Sequence, residues 1–285
     1  MFKMRSRNAA TPPAPLSVSG TMLSHLGCVR EINEDVVAFV LPDDGTLGGD
    51  FGMLALVADG MGGHAAGEVA SRIAADTVLR LYYASEGSAP AVLAACLKAA
   101  NQAIRAHAQA EAACAGMGTT CTVLALRDGA AFLAHIGDSR AYLLRDGRLQ
   151  QISEDHSLVA ELVRDGALTA DEAARSPQRH VILRALGTEP SPLPSIWDQG
   201  LPLRAADVFI LCSDGLSDLI DDQTIAETAA RLPPRPACEA LIDAALAAGG
   251  TDNVSVGIFA LGADPPRSAE ALSTRPLPVP GNGEP

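Results

Sequence analysis

The chain has 285 residues, of which 48% are hydrophobic and 19% are charged, so one domain with a large buried core is expected. Its formal net charge is −13 at pH 7, which argues against nucleic acid as a partner because phosphate backbones attract basic surfaces. No uncharged apolar run is long enough to cross a bilayer, so we expect no membrane insertion.

The cysteines and the two ends of the chain predict the compartment and the limits of the domain. The six cysteines include no C-x-x-C pair and no disulfide-type spacing, which favours the reducing cytoplasm. Residues 1–16 lack the apolar block of a signal peptide and are predicted to be a flexible arm. The Pro-rich residues 264–285 are predicted to be a disordered tail, which leaves residues 17–263 as the domain.

Apolar and alternating segments between these ends predict a mixed α and β chain. In chain order, the predicted strands are 36–41, 53–58, 119–126, 131–136, 141–145, 208–212 and 254–261. The predicted helices are 68–83, 89–112, 157–164, 221–231 and 236–248. Asp-Gly pairs at 128–129 and 146–147 predict hairpin turns. Because two helices follow one another after the strand 53–58, the pattern favours an α+β layered domain over βαβ alternation.

Carboxylates stand at the ends of several predicted strands. Asp35 precedes one strand and Asp59 follows the next, so antiparallel pairing would bring both to one edge. Asp214 follows one late predicted strand and Asp252 precedes another. Asp138 lies in the turn between two more strands, and each of these pairs of strands is predicted to be antiparallel neighbours. So many like charges repel each other unless a cation lies among them.

The kinds of residue in this set indicate the cation and the chemistry. Oxygen ligands without a Cys or His cluster favour Mg²⁺ or Mn²⁺ over zinc, and two such ions sharing a carboxylate and a water would hydrolyse phosphate esters. Arg30, four residues before Glu34, is a candidate for binding the phosphate, because a guanidinium holds two phosphate oxygens at once. The alternative is that Arg30 only pairs with Glu34 or Asp35. Asp128 and Asp146 are interpreted as ordinary turn residues.

Two other motifs suggest different chemistry and are weaker. Residues 60–65 match the G-x-G-x-x-A pattern of a dinucleotide-binding oxidoreductase, but Asp59 would face the pyrophosphate with the wrong charge. Cys121 and Arg127 have the C-x5-R spacing of cysteine-dependent phosphatases. The residues between them are apolar and β-branched rather than glycine-rich, so Cys121 is predicted to lie in the core.

Several short motifs occur together between about residues 19 and 261. They are Arg30 with Asn33-Glu34-Asp35, Asp59-Gly60-Met61-Gly62-Gly63 with Gly67-Glu68, Gly118-Thr119-Thr120, Gly137-Asp138-Ser139-Arg140, Asp155-His156-Ser157, Ser213-Asp214-Gly215 with Asp218, and Thr251-Asp252-Asn253. In this order they resemble the bacterial metal-dependent Ser/Thr protein phosphatases of type 2C. Each motif alone is weak, whereas the set is highly specific.

The resemblance implies a fold and a set of metal ligands. The fold would be a four-layer α/β/β/α sandwich, in which two central antiparallel sheets are flanked by helices and the metals lie at one end. Asp59 would bridge two ions and the Gly60 carbonyl would bind one of them, while Asp214 and Asp252 would hold the second. Asp138, together with Asp214, would bind a weaker third ion.

The resemblance also implies roles for residues around the metals. Glu34 and Asp35 would orient metal-bound waters, and Arg30 would hold the substrate phosphoryl group. The segment of about residues 157–192 would be a variable flap that influences substrate choice. Within that flap, His180 stands where relatives commonly carry asparagine.

The implied activity is metal-dependent hydrolysis of phosphoserine and phosphothreonine in proteins by direct attack of a metal-bridging hydroxide. The enzyme would reverse a cognate Ser/Thr kinase in bacterial signalling; the alternative is a catalytically silent metal-binding relative that acts as a regulatory or sensing module. The proton donor to the leaving group is open, because Met61 stands where eukaryotic relatives have a histidine. The candidates are a metal-bound water and His64.

Overall fold

A computed structural model of the chain describes residues 16–47, 51–62 and 66–263. The predicted arm, apart from residue 16, and the predicted tail 264–285 lie outside the described residues, as does His64. None of the helices in the described ranges combines the length and the apolar character that a bilayer-spanning segment requires.

The strands occur in four groups along the chain, separated by helices. In chain order they are β1 (Ser17–His25), β2 (Asp35–Val40), β3 (Met53–Met61), β4 (Gly118–Thr119), β5 (Cys121–Arg127), β6 (Ala130–Ile136), β7 (Arg140–Arg145), β8 (Arg148–Gln151), β9 (Ser195–Ile196), β10 (Leu201–Pro202), β11 (Val208–Cys212) and β12 (Val254–Gly262).

The helices lie between these four groups of strands. They are α1 (Ala66–Ala84), α2 (Ala89–Ala110), α3 (Leu158–Arg164), α4 (Ala170–Ala174), α5 (Asp214–Ser217), α6 (Asp222–Arg231) and α7 (Pro234–Ala247), with a short 3-10 turn at Ala112–Cys114. All five predicted helices are present, with ends that differ from the prediction by a few residues.

The strands form two antiparallel sheets. Sheet I has the order β1-β12-β11-β7-β8, and sheet II has the order β10-β6-β5-β3-β2, with β4 on β3 and β9 on β6. The predicted hairpins are confirmed, since β5 pairs with β6 and β7 pairs with β8. In both turns Asp and Gly adopt positive φ angles, 55° and 74° at Asp128-Gly129 and 52° and 73° at Asp146-Gly147, as tight hairpin turns require.

Alternating side chains of the central strands enter different hydrophobic cores. In β3, one set packs between the two sheets and the other packs against α1 and α2: Met53, Ala55 and Val57 in the first set, and Leu54, Leu56 and Ala58 in the second. In β11, Phe209 and Leu211 pack between the sheets, whereas Ile210 and Cys212 pack towards α6 and α7. The predicted α/β/β/α order of layers is therefore confirmed.

The sheets contain strands that were not predicted, β1 and β8–β10, and one connection that differs from the prediction. β1 was not predicted, because its sequence SVSGTMLSH has no apolar run; it forms by pairing with β12 along nine residues, from Ser17 opposite Gly262 to His25 opposite Val254. The expectation that the strands beside Asp138 are neighbours is wrong. β6 belongs to sheet II and β7 to sheet I, so the chain crosses between the sheets at Asp138.

Candidate metal centre

The predicted acidic residues come from both sheets and lie at one end of the sandwich. Asp35 and Asp59 stand directly opposite each other in the β2–β3 ladder. In sheet I, a Cβ atom added to Gly215 would lie 3.5 Å from the Cβ of Asp252, so the ends of β11 and β12 are also close. Ser213 connects the two sheets, because its Oγ donates a hydrogen bond of 2.7 Å to Asp35 Oδ2.

The backbone around Asp59 is fixed on several sides. Its N–H donates to Thr120 Oγ1 at 2.9 Å, and its carbonyl accepts from Thr120 N and Thr119 Oγ1, both at 2.9 Å. The next residue, Gly60, donates its N–H to Glu34 O at 3.1 Å. The strand end that carries Asp59 and Gly60 is therefore positioned by β4 on one side and by the residues before β2 on the other.

The electrostatics of the cluster are unfavourable for the protein alone. Burial raises the pKa of Asp59 well above its usual range, and the charges of Asp35, Asp214, Asp138 and Asp252 raise it further. Burial likewise raises the pKa of Asp35 to about 7. A site in which neighbouring carboxylates resist ionisation becomes favourable only when positive charge enters it.

The donor atoms fit hard divalent cations. In the described part of the chain, four carboxylate oxygens of this cluster are buried without a hydrogen-bond partner: Glu34 Oε1, Asp35 Oδ1, Asp138 Oδ1 and Asp214 Oδ1. A buried carboxylate oxygen without a partner is costly, and divalent cations such as Mg²⁺ and Mn²⁺ satisfy such atoms. The residues present are thus suited to a metal site with all-oxygen ligands.

Arg30 lies beside the cluster with half of its side chain exposed. Its Nη2 donates a 2.6 Å hydrogen bond to Asp252 Oδ2, and this ion pair raises the pKa of Arg30. The partner is thus neither Glu34 nor Asp35, the two alternatives considered from sequence. The guanidinium stands at the rim of the acidic cluster, within reach of an anion that approaches it.

Asn253 holds the segment that carries Arg30; the sequence places it in the Thr251-Asp252-Asn253 motif but does not indicate this role. Its Oδ1 accepts from Glu34 N at 2.8 Å, and its Nδ2 donates to Leu26 O at 2.9 Å and to Ile32 O at 3.0 Å. One side chain next to Asp252 therefore fixes both ends of the loop around Arg30. An asparagine that follows an aspartate is common in turns, so only the folded arrangement reveals this function.

His180 extends the acidic cluster on the side of the flap. Its Nδ1 lies 3.3 Å from Asp218 Oδ2 and 4.0 Å from Asp214 Oδ2, and one ligand atom from each of the three residues lies within 4.8 Å of the others. These residues and Asp138 line one cavity of about 570 Å³ beneath the flap. His180 is unusual in the sequence, but its position there does not place it near the predicted metal ligands.

The base of the flap is joined to the loop that carries Asp138. His156 Nδ1 accepts from Gly137 N at 3.2 Å, and His156 N donates to Gly137 O at 2.7 Å. The far end of the flap returns to the same residue, since Leu183 N donates to His156 O at 2.7 Å. Burial lowers the pKa of His156 to about 3, so the imidazole is neutral and can accept this hydrogen bond.

The two weaker sequence motifs have structural explanations. Cys121 is fully buried in the core between sheet II and the helices, as predicted. Residues 60–62 do not open a βαβ unit, because the strands paired with β3 in the described chain are all antiparallel to it. The dinucleotide-binding hypothesis is therefore not supported.

A four-layer sandwich with carboxylates from both sheets at one end defines a class of divalent-cation-binding proteins. A protein-family model described as Protein phosphatase 2C matches residues 31–248, and the chain belongs to this family.

Relatives from several bacteria match most of the domain. The chain is 43% identical over 235 residues to the serine/threonine protein phosphatase PstP of Mycobacterium tuberculosis, covering 82% of this chain and 43% of the relative. It is 34% identical over 256 residues to the protein phosphatase PhpP of Streptococcus pneumoniae, covering 85% of this chain and 96% of the relative. The chain thus spans less than half the length of PstP and nearly all of PhpP.

Solved structures agree with the fold. The crystal structure of the Mycobacterium tuberculosis serine/threonine phosphatase PstP/Ppp has a TM-score of 0.75 at 41% identity and covers 86% of this chain and 99% of that one. A structure of the catalytic domain of PstP in complex with two manganese ions has a TM-score of 0.73 at 39% identity and covers 87% of this chain and 99% of that one.

Proposed function

We propose that this chain is a metal-dependent protein phosphatase that hydrolyses phosphoserine and phosphothreonine in proteins. The observation that carries the proposal is the acidic cluster with unpartnered buried oxygens beside Arg30. Relatives named serine/threonine phosphatases support the substrate class.

The ligands of the core site are proposed from the resemblance to the type 2C phosphatases. Asp59 would contact both ions, the Gly60 carbonyl would bind one, and Asp214 and Asp252 would hold the second. Divalent ions bound there would supply activation of a water and neutralisation of the phosphate charge. Manganese is supported by the relative that contains it, and Mg²⁺ suits the same oxygen donors.

The remaining carboxylates act around this core. Glu34 and Asp35 would orient waters, an assignment supported by their buried Oε1 and Oδ1 atoms, which have no hydrogen-bond partner. Asp138 and Asp214 bind a weaker third ion, and Asp218 lines the same cavity. His180 adds a nitrogen donor to that side of the cluster.

Arg30 holds the phosphoryl group of the substrate. A phosphate that carries two charges competes with Asp252 for the guanidinium, and bidentate binding favours the phosphate. In the transition state the same guanidinium stabilises charge on the equatorial oxygens. The leaving alkoxide takes its proton from a water or from His64, since the Met61 thioether cannot donate one.

The biological setting follows from this chemistry. The substrates are phosphorylated Ser/Thr proteins in the cytoplasm, and the opposing enzyme is a Ser/Thr kinase. The active enzyme is favoured over a silent sensing module, because every expected carboxylate position is occupied by a carboxylate.

The test is release of phosphate from a phosphothreonine peptide by the full chain with Mn²⁺. Asp59→Asn is expected to lower kcat by roughly a hundredfold or more, because it removes a ligand of both ions. Asp146→Asn, the same change at an exposed hairpin turn, is the matched control and should keep full activity. Undiminished turnover in excess chelator would contradict the proposal.

A further inference from the structure

The loop that carries Arg30 is unusually apolar on its exposed side. Leu26, Val29 and Ile32 are 37%, 66% and 40% exposed, respectively. Large exposed hydrophobic residues are few in the described chain, and these three fall within seven consecutive positions. We call these three residues the apolar rim. Exposed apolar side chains scattered singly need no explanation, whereas three of them on one short loop indicate a contact surface.

The apolar rim is not needed to hold the loop in place. The loop is fixed by its backbone, since Leu26 O and Ile32 O accept from Asn253 and Cys28 N donates to Gly250 O at 2.7 Å. Gly27, at a φ of 84°, allows the loop to lie directly on the backbone of residues 250–252. Polar side chains at the rim would leave all of these contacts unchanged.

The position of the rim connects it to substrate binding. Val29 immediately precedes Arg30, so a phosphorylated residue held by Arg30 has its sequence neighbours close to the rim. An extended substrate advances about 3.3 Å per residue, which places the one or two residues beside the phosphorylated one within reach of Val29. Because the loop is already ordered, little conformational entropy is lost when a side chain packs on it.

The carboxylates around the apolar rim disfavour acidic residues next to the phosphorylated residue of a substrate. Glu31 lies within the loop and is exposed, and Glu34 and Asp252 lie beside Arg30. An acidic residue next to the phosphorylated one would meet these carboxylates and be repelled. An apolar side chain gains contact area on the rim and meets no such repulsion.

From these observations, and resting on the proposed phosphatase function, we propose that the apolar rim selects phosphoproteins with a large apolar residue within two positions of the phosphorylated Ser or Thr. The rim acts as a substrate-specificity surface continuous with the phosphate-binding arginine. It distinguishes substrates by the residues around the phosphate and not by the phosphate itself.

The experiment compares phosphothreonine peptides that are identical except for the two residues flanking the phosphothreonine, which are leucine, alanine, glutamate or arginine. With Mn²⁺, the native chain should show a kcat/KM for the leucine peptide about fivefold above that of the alanine peptide. The glutamate peptide should be the poorest substrate. In Val29→Ser and in Ile32→Ser, the leucine-to-alanine ratio should fall below about twofold.

Val40→Ser is the matched control, because Val40 is also exposed and lies at the end of β2 remote from Asp35. Its leucine-to-alanine ratio should equal that of the native chain. Equal kcat/KM for the leucine and alanine peptides would overturn the inference while leaving the phosphatase function intact, and a high rate for the arginine peptide would agree with the charge of Glu31, Glu34 and Asp252. Failure to hydrolyse any of the peptides would overturn both.

The same variants test whether the apolar rim instead binds a second copy of this chain or a lipid surface. If the rim joins two copies of this chain, Val29→Ser would convert a dimer to a monomer in sedimentation experiments without changing peptide selectivity. If the rim binds a lipid surface, the native chain would sediment with neutral vesicles and the variant would not. Either result with an unchanged leucine-to-alanine ratio would contradict the specificity role.

Discussion

Replacing Gly67 by alanine should have two opposite effects on the stability of the folded protein. Gly67 is the second residue of α1, and alanine is favoured over glycine within a helix by up to about 1 kcal/mol. The added Cβ, however, would lie 2.7 Å from the carboxyl carbon of Glu34 and 2.8 Å from the carbonyl carbon of Gly60. Helix propensity alone predicts a more stable protein, and packing predicts a less stable one.

The distances decide which effect is larger. The Glu34 side chain can rotate away, but the Gly60 backbone belongs to β3 and is hydrogen-bonded to Glu34 O at 3.1 Å. It must retreat by about 0.6 Å to reach ordinary contact at 3.4 Å. Inserting a methyl group into such a packed position costs about 1–3 kcal/mol, which exceeds the propensity gain. We expect a net loss of about 1 kcal/mol in the free energy of unfolding.

The same displacement should weaken metal binding, because it moves the Gly60 carbonyl and the Glu34 carboxylate together. The Mn²⁺ concentration that gives half-maximal activity should rise about tenfold. Urea unfolding of the chelated protein measures the first effect and a Mn²⁺ titration of phosphate release measures the second. Gln102→Ala, on the exposed face of α2, is the control for propensity without a clash. A Gly67→Ala protein of equal or greater stability and unchanged Mn²⁺ dependence would refute the packing argument.

Three further predictions concern the carboxylates and the arginines. Because burial raises the pKa of Asp35 to about 7 and of Asp138 to about 8, the folded chelated protein holds protons that the unfolded chain releases. Its melting temperature should therefore fall between pH 6.5 and 8, and a flat profile by scanning fluorimetry would count against the buried cluster. Arg30→Lys should lower kcat/KM for a phosphopeptide by at least about tenfold, since lysine cannot bind phosphate bidentately; equal rates would exclude the assigned role. Asp207→Asn should cost about 3–5 kcal/mol in urea unfolding, because Asp207 is buried and paired with Arg145 at 2.6 Å; a loss below 1 kcal/mol would contradict this.

Local sequence was sufficient to bring together the carboxylates of each sheet in the candidate metal centre. The apolar run of β3 and the position of Asp35 at the start of β2 place Asp35 opposite Asp59 once the strands are antiparallel, and the register has this pairing. Asp214 and Asp252 follow by the same reasoning from β11 and β12, which are also neighbours.

The relation between the two sheets could not be predicted in this way. The turn at Asp138 looks like a hairpin turn in sequence, yet the chain uses it to cross from one sheet to the other. β1 has no apolar run and depends on β12, which lies more than two hundred residues away. The partner of Arg30 is equally remote, since Asp252 is 222 positions along the chain. Such contacts depend on packing between layers, for which a single sequence contains no periodic signal.

The place of β12 in the sheet has a consequence for how the protein is made. β12 lies between β1 and β11, and Asp252 lies two residues before it, so the last strand of the domain brings both a central part of sheet I and a carboxylate of the cluster. A nascent chain that the ribosome has extended only to residue 251 lacks both β12 and Asp252. The proposed activity should therefore arise only when synthesis of the domain is complete, and partly translated chains should lack it.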